Sequence, residues 1–469
     1  MRIYLLGIAG TGMGSFAGLL RAAGHQVSGS DENVYPPMSD KLRDWGITFY
    51  SPYAAQNLWT QGGPPELAVV GNVIRAQNPE AAEVRRRGIP HVSFPEALEE
   101  LFLLDRHPVV VAGTHGKTTT TSLLAWVLQA AGRDPSLLVG GVPLNFNEGF
   151  RLGKGPHFAL EGDEYDTAYF DKGPKFKHYR PRTAIFTGAE FDHADIYQDT
   201  AHYESAFEKF FGLLPQDGYA AACACFPNWK RLASFANCKV ESYRAVEGDD
   251  SDWTIHGLEL GPTGASFDVL YRGAPEKRVH LAASGRHNVE NGLGVWAACR
   301  ALGLSPDEIS AGFASFKGVK RRQELRGEVN GIAVIDDFAH HPTAVRETLA
   351  AVKASWPGRR LVAVFEPRSN TAMRKVHQEE YAHAFAACDE AILSQPTAIA
   401  KVPESERVDA QKLAQDIAAN GTKARWFAGP DEIVAALAKE LRPGDVVLGM
   451  SNGAFGGLHA KLLAALGKK

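Results

Sequence analysis

The sequence predicts an α/β protein of three domains in series, each built on a mostly parallel sheet. Three observations carry that expectation. A chain of 469 residues is longer than one hydrophobic core supports. Short apolar runs alternate with helical stretches from end to end. Two glycine-rich loops stand where a strand would hand over to a helix.

The first unit, residues 1–106, has apolar runs at 3–6, 26–27 and 67–70 and a helical stretch at 16–23. Asp105, Arg106 and Pro108 interrupt a helix rich in Leu, Glu and Phe, and a new strand, Val109-Val110-Val111, opens the second unit, 107–317. That unit carries further alternation and a β-rich insertion with turn residues around 248–273. The third unit, 318–469, opens on Gly318-Val319-Lys320-Arg321-Arg322, with strands expected at 333–335, 361–364, 391–393 and 446–448.

Composition narrows the function classes. With 45% hydrophobic residues, 22% charged residues and a net charge of −4, the chain lacks the basic face that nucleic acid requires. No apolar run approaches the roughly 20 residues that span a bilayer, and the first is cut short by Gly7, Gly10, Gly12 and Gly14. A cytoplasmic protein without membrane or nucleic-acid partners is expected. Five scattered cysteines fit reduced thiols, and Cys223-Ala224-Cys225, inside the apolar stretch 219–226, reads as core packing.

The first loop, Gly7-Ile8-Ala9-Gly10-Thr11-Gly12-Met13-Gly14, lets backbone approach a pyrophosphate at a helix N-terminus. Asp31, after Ser28-Gly29-Ser30, stands where a Rossmann-like unit keeps its ribose-binding acid. The glycine spacing departs from G-x-G-x-x-G, so a dinucleotide, a sugar nucleotide and a plain tight turn all remain open.

The second loop, Gly113-Thr114-His115-Gly116-Lys117-Thr118-Thr119, is the stronger signal. Its N–H groups can wrap phosphate oxygens, Lys117 can reach the β and γ oxygens of ATP, and the Thr118 hydroxyl can ligate Mg²⁺. The first glycine lies closer to Gly116-Lys117 than in the general P-loop, which points to a subclass of P-loop ATPase-like domain. Two acidic or imidazole groups follow apparent strands, Glu161-Gly162-Asp163-Glu164 and Glu190-Phe191-Asp192-His193, where ligands of open α/β sheets converge. Glu161 and His193 are the expected partners of the metal.

These motifs, together with Gly285-Arg286-His287-Asn288-Val289-Glu290-Asn291, Lys320-Arg321-Arg322 and Asp336-Asp337-Phe338-Ala339-His340-His341-Pro342, resemble in kind and order the Mur ligases, which use ATP to build the peptide of bacterial cell-wall precursors. The resemblance implies a Rossmann-like N-terminal domain, a central ATP-binding domain and a Rossmann-like C-terminal domain that binds nucleotide and peptide. It implies that Gly10, Thr11, Gly12, Met13, Gly14, Ser30, Asp31 and Asn72 hold a UDP-sugar. It places ATP on Gly113 through Thr119, His287, Asn288, Asn291, Arg322 and Asp337, and the metal on Thr118, Glu161 and His193.

Within the family, the N-terminal domain and the 337–342 segment look like the members that add alanine to UDP-N-acetylmuramate. Gly71-Asn72-Val73, Phe365 through Thr371 and Met450 through Gly457 look more like the members that add the tripeptide L-alanyl-γ-D-glutamyl-meso-diaminopimelate in peptidoglycan recycling. The tripeptide is the favoured acceptor and alanine the alternative. Arg368, Ser369, Asn370 and Arg374, with Ser451 and Asn452, are the expected peptide-binding residues, since guanidinium pairs bidentately with carboxylates. The expected reaction activates the sugar's lactyl carboxylate as an acyl phosphate and passes it to the amine, with Lys117, Glu161 and His193 as catalytic groups.

Overall fold

The computed structural model describes residues 1–467 apart from 60–61, 194–195 and 398. It contains three sheets. The first orders β3-β2-β1-β4-β5, with β1 (Arg2–Leu6), β2 (Gln26–Ser30), β3 (Thr48–Tyr50), β4 (Leu67–Val70) and β5 (His91–Ser93) all parallel. Such strands are covered on both faces, and their sequences read accordingly: every residue of Leu67-Ala68-Val69-Val70 is buried.

The second sheet has ten strands in the order β15-β14-β13-β12-β11-β10-β6-β9-β7-β8. Its parallel heart holds β6 (His107–Ala112), β7 (Ser136–Leu138), β9 (His157–Gly162), β10 (Thr183–Phe186), β11 (Tyr219–Cys223) and β12 (Lys239–Tyr243), with the short β8 (Phe150–Arg151) at the far edge. The β-rich insertion is the antiparallel meander β13 (Trp253–Gly261), β14 (Gly264–Tyr271) and β15 (Ala274–Leu281), which runs beyond the turn-rich stretch expected from sequence. The third sheet orders β16-β17-β21-β18-β19-β20. Its strands are β16 (Glu324–Val329), β17 (Ile332–Asp337), β18 (Leu361–Phe365), β19 (Glu390–Ser394), β20 (Lys423–Phe427) and β21 (Val446–Met450), parallel except for β16.

Packing changes the domain picture in two places. Gly318-Val319-Lys320 was expected to open the third unit, but Val319 is buried in the core of the central sheet and Lys320 N–H bonds the Val142 carbonyl. The crossing therefore falls after Lys320, because a buried valine and a backbone bond hold the segment to the unit before it. The first two units, moreover, share one apolar cluster. It runs from Ile3, Leu5 and Phe16 through Phe94 and Leu98 to Phe176, Phe207 and Phe210, whereas the third unit has clusters of its own.

The helix expected at 16–23 spans Thr11–Ala22, starting directly behind Gly10. Among the described residues no helix is long and apolar enough to cross a membrane.

Candidate active site

The site begins at the C-terminal end of β6, where the strand order places β9 on one side and β10 on the other, the switch point at which open α/β sheets bind ligands. Here the chain must turn sharply into the helix Lys117–Ala130, and two glycines allow it. Gly113 has φ +139° and Gly116 φ +77°; a Cβ on the first would sit 2.3 Å from Thr187 Oγ1 and on the second 2.4 Å from Asn291 Oδ1. Any side chain there would both strain the backbone and fill the loop.

The helix then presents Lys117 and Thr118 in its first turn. The Lys117 ammonium curls back to donate to the Gly113 carbonyl at 2.6 Å and to Glu164 Oε2 at 2.9 Å. Burial opposes its charge, but the carboxylates of Glu164 and Asp163 outweigh burial and raise its pKa, so it stays an ammonium. Thr118 Oγ1 donates to Glu161 Oε1 at 2.7 Å, and Gly140 N–H holds Glu161 Oε2 at 2.7 Å. Burial, with Asp163 nearby, pushes the Glu161 carboxyl up. Asp163 itself is tied to Lys175 at 2.8 Å.

His193 points its Nε2 at Glu164 Oε1, 3.2 Å away. Burial works against its protonation, yet Glu164 and Asp192 raise its pKa. The four groups thus form two linked pairs, Lys117 with Glu164 and Thr118 with Glu161, and His193 closes on the first. The donor set beside Thr118 is hard oxygen, the chemistry that suits Mg²⁺.

A cavity of about 710 Å³ opens from this loop, and Gly116, Thr119, His287, Asn288, Asn291, Arg322 and Asp337 all line it. Arg322 spans the step from the third unit to the second, donating from Nη2 to Thr118 Oγ1 at 3.3 Å. Asp337, the last residue of β17, accepts the backbone N–H groups of Gln323 and Ala339, each at 2.7 Å. Burial raises its carboxyl pKa, with Arg322 opposing. Asn291 Nδ2 donates to Asn288 Oδ1 at 3.3 Å, and Asn288 Nδ2 donates to the Ser284 carbonyl. His287 is held down to about 4 by burial and the Arg322 charge, so its ring is neutral.

The first glycine loop lies at the C-terminal end of β1. Asp31 Oδ2 accepts Ala9 N–H at 3.0 Å while Oδ1 accepts the Tyr53 hydroxyl at 3.2 Å, so the carboxylate fixes the loop. Gly10 and Thr11 are exposed, a Cβ on Gly12 would meet no protein atom within 4 Å, and Asn72 is exposed at the end of β4. Met13 and Gly14 are buried, and a Cβ on Gly14 would strike the Met38 sulfur. Ser30 corrects the expectation from sequence. Its side chain is wholly buried and donates to Glu80, and its carbonyl receives the N–H groups of Gly7 and Ile8. It braces the loop from beneath and does not face a ligand.

The expected peptide residues divide in the same way. Arg368 is half-buried against Gly453, 4.0 Å from Glu366, and Ser369 Oγ receives Ala372 N–H at 3.0 Å. Asn370 is exposed beside them, and Asn452 turns a buried Oδ1 that has no hydrogen-bond partner among the described residues. Two placements differ from expectation. Arg374 is paired with Glu406 across the Arg374–Arg407 bridge, so its guanidinium ties two loops together. Ser451 is buried, donating to Glu366 at 2.7 Å and receiving Gly453 N–H, so it shapes the turn from within.

Sequence reasoning did not single out Glu164 or Glu190. Glu164 was visible three residues beyond Glu161 but gave no sign that it would meet Lys117. Glu190 accepts from His115 Nε2 at 2.7 Å and from the Thr343 hydroxyl at 2.8 Å, joining the phosphate loop to the third unit. Cys225 also departs from the core reading: Cys223 is buried, but Cys225 is exposed on the cavity wall.

Known proteins resemble this chain over its whole length. The chain matches the family models described as Mur ligase family, catalytic domain over residues 2–106, Mur ligase middle domain over 111–299, and Mur ligase, glutamate ligase domain over 321–453. It is 40% identical over 470 residues to the UDP-N-acetylmuramate–L-alanyl-γ-D-glutamyl-meso-2,6-diaminoheptandioate ligase of Escherichia coli (strain K12), covering 100% of this chain and 99% of that one. It is 34% identical over 453 residues to the UDP-N-acetylmuramate–L-alanine ligase of Pelotomaculum thermopropionicum, covering 96% of this chain and 94% of that one. The crystal structure of a murein peptide ligase from Psychrobacter arcticus 273-4 superposes with a TM-score of 0.75 at 36% identity, covering 100% of this chain and 99% of that one.

Proposed function

The chain belongs to the Mur ligase family, and from that premise we propose that it joins the lactyl carboxylate of UDP-N-acetylmuramate to the amine of L-alanyl-γ-D-glutamyl-meso-diaminopimelate, in peptidoglycan recycling. It is an ATP-dependent, amide-forming ligase. The observation that carries the chemistry is the pairing of Lys117 with Glu164 and of Thr118 with Glu161 at one helix N-terminus. The acceptor follows from a likeness to the Escherichia coli tripeptide ligase that covers the whole chain.

A carboxylate is a poor electrophile until one oxygen becomes a leaving group. The lactyl carboxylate attacks the γ-phosphorus of ATP, the bond to the β-phosphate oxygen breaks, and an acyl phosphate and ADP result. The tripeptide's amine then attacks the acyl carbon, loses a proton as the C–N bond forms, and phosphate departs. Lys117, freed from its loop carbonyl, neutralises charge on the transferring group. Thr118, Glu161 and His193 would hold Mg²⁺, which would supply the rest of that neutralisation. Glu164 keeps Lys117 charged and aimed at the loop.

An acyl phosphate must be kept from water, and a third unit with an apolar core of its own suits a lid. Arg322 and Asp337 come from its edge to the nucleotide cavity, and Arg368, Asn370 and Asn452 of the same unit are the groups we assign to an acceptor's carboxylates.

The alternative acceptor, free L-alanine, is favoured by the likeness to the Pelotomaculum ligase. Phosphate release with each amine offered separately decides between them. The tripeptide is expected to exceed L-alanine by at least ~100-fold in kcat/KM, since a site built around several acceptor carboxylates leaves its own groups unpaired with a smaller amine. A preference for L-alanine would overturn the tripeptide reading while leaving the ligase chemistry intact.

A further inference from the structure

The nucleotide cavity has a second cluster of ligating atoms that the ligase reaction does not use. Cys223 ends β11, Cys225 follows in the next loop, and Glu290 stands just beyond the first turn of the helix Arg286–Ala301. Their sulfur and carboxylate atoms all lie within 4.8 Å of one another. All three line the cavity wall beyond the phosphate loop. Since β11 is two strands from β6, this wall is roughly 10 Å from the loop.

We propose that Cys223, Cys225 and Glu290 form a site for a thiophilic divalent cation of the Zn²⁺ class, and that an ion bound there opposes nucleotide binding. Two sulfurs at Zn–S lengths of about 2.3 Å around a tetrahedral ion stand about 3.8 Å apart, within the spread the cluster already has. The carboxylate is aimed for the purpose. Ala245 N–H takes Glu290 Oε2 at 2.9 Å, leaving Oε1 facing Cys223, whose Sγ–H donates to it at 3.7 Å. Ligation replaces that thiol proton by the ion and releases the proton of Cys225, so two thiolates and one carboxylate meet a dication. The fourth position faces the cavity.

Selectivity follows from the donor types. The oxygens of Thr118 and Glu161 suit hard cations, whereas the second cluster offers sulfur. Only sulfur sets this cluster apart, since His193 adds a nitrogen donor to the oxygens of Thr118 and Glu161. Of the remaining cysteines, Cys299 and Cys388 are buried and Cys238 has its sulfur turned to the Lys239 carbonyl. Exposed Cys225 gives an ion its way in.

The test is a titration of the full-length reduced protein with Co²⁺ in excess Mg²⁺, followed at the thiolate band, to which ions on oxygen or imidazole ligands do not contribute. One equivalent is expected to bind with a near-ultraviolet thiolate-to-cobalt absorption and to be displaced by Zn²⁺. Cys225→Ser should abolish the band, and Glu290→Gln should weaken binding at least tenfold, with circular dichroism confirming that each variant is folded. No thiolate band in the native protein, or a band unchanged in Cys225→Ser, overturns the site. In the ligase assay at fixed Mg²⁺ and subsaturating ATP, Cys225→Ser should need at least ten times more Zn²⁺ for half-inhibition than the native protein. Equal inhibition of the two would overturn the inhibitory role. The cobalt titration uses no substrate, so its failure would leave the ligase reading untouched.

Discussion

Two glycine loops in this chain solve the same backbone problem and end with different chemistry. Each lies at the C-terminal end of a parallel strand at a switch point in its sheet, and each feeds a helix N-terminus where unpaired N–H groups attract anions. Behind the first loop there is restraint alone: Asp31 holds Ala9, and Ser30 and Glu80 brace the turn from below. Behind the second stand a lysine and a threonine, each gripped by a carboxylate from the end of β9. A phosphate-binding backbone is therefore generic. What separates holding a nucleotide from reacting with it is the charge that neighbouring strands deliver to the loop.

The largest expected effect breaks the second loop at its charge. Lys117→Met should lower kcat by at least ~10³-fold, about 4 kcal/mol of transition-state stabilisation, while binding of UDP-N-acetylmuramate measured by calorimetry stays within about twofold. Retention of ADP release at a tenth or more of the normal rate, with both substrates present, would remove Lys117 from the reaction. A middling effect belongs to the first loop. A Cβ on Gly12 meets no protein atom within 4 Å, so Gly12→Val puts its first added carbon into open space at the loop. It should raise KM for UDP-N-acetylmuramate about tenfold with kcat within about threefold. An unchanged KM would mean that the sugar nucleotide does not approach this helix end.

The sheets were legible because central parallel strands are apolar on both faces and stand out as runs such as Val109-Val110-Val111. The loops were legible because glycine is concentrated where the backbone must turn. Side-chain partnerships were harder to read. Nothing in Glu161-Gly162-Asp163-Glu164 says that its first acid would meet Thr118 and its last Lys117, since Glu161 still belongs to β9 whereas Glu164 lies past its end and points where the loop sends it. Ser30 and Ser451 stand inside motif-like segments yet turn inward to Glu80 and Glu366, and Arg374 is taken up by a pair with exposed Glu406. A motif marks a segment, and packing decides which of its side chains reach solvent. The position of Val319 in the central core was hidden for the same reason, because a lone valine beside three basic residues carries no periodicity.

The smallest effect concerns what covers the two loops. The third unit reaches the second loop through Glu190, which accepts from His115 on the loop and from Thr343 at the start of the helix Pro342–Ser355; His341 packs beside His115 with ring centroids 4.8 Å apart. Burial opposes the Glu190 charge, but the His115 bond, His341 and Thr343 more than offset it and hold the carboxyl at about 2, below the usual 4.5. A carboxyl depressed by folding contributes stability above its unfolded pKa and loses it as pH falls from about 4.5 toward 2. Glu190→Gln keeps a hydrogen bond to Thr343 and loses the charge, a change on the order of 1 kcal/mol. It should raise KM for ATP about fivefold with kcat nearly unchanged, and its unfolding temperature should fall less steeply than that of the native protein between pH 5 and pH 3. If instead kcat fell ~100-fold at unchanged KM, Glu190 would belong with Lys117 in the reaction itself, and the second loop would differ from the first by a third charge instead of a cover.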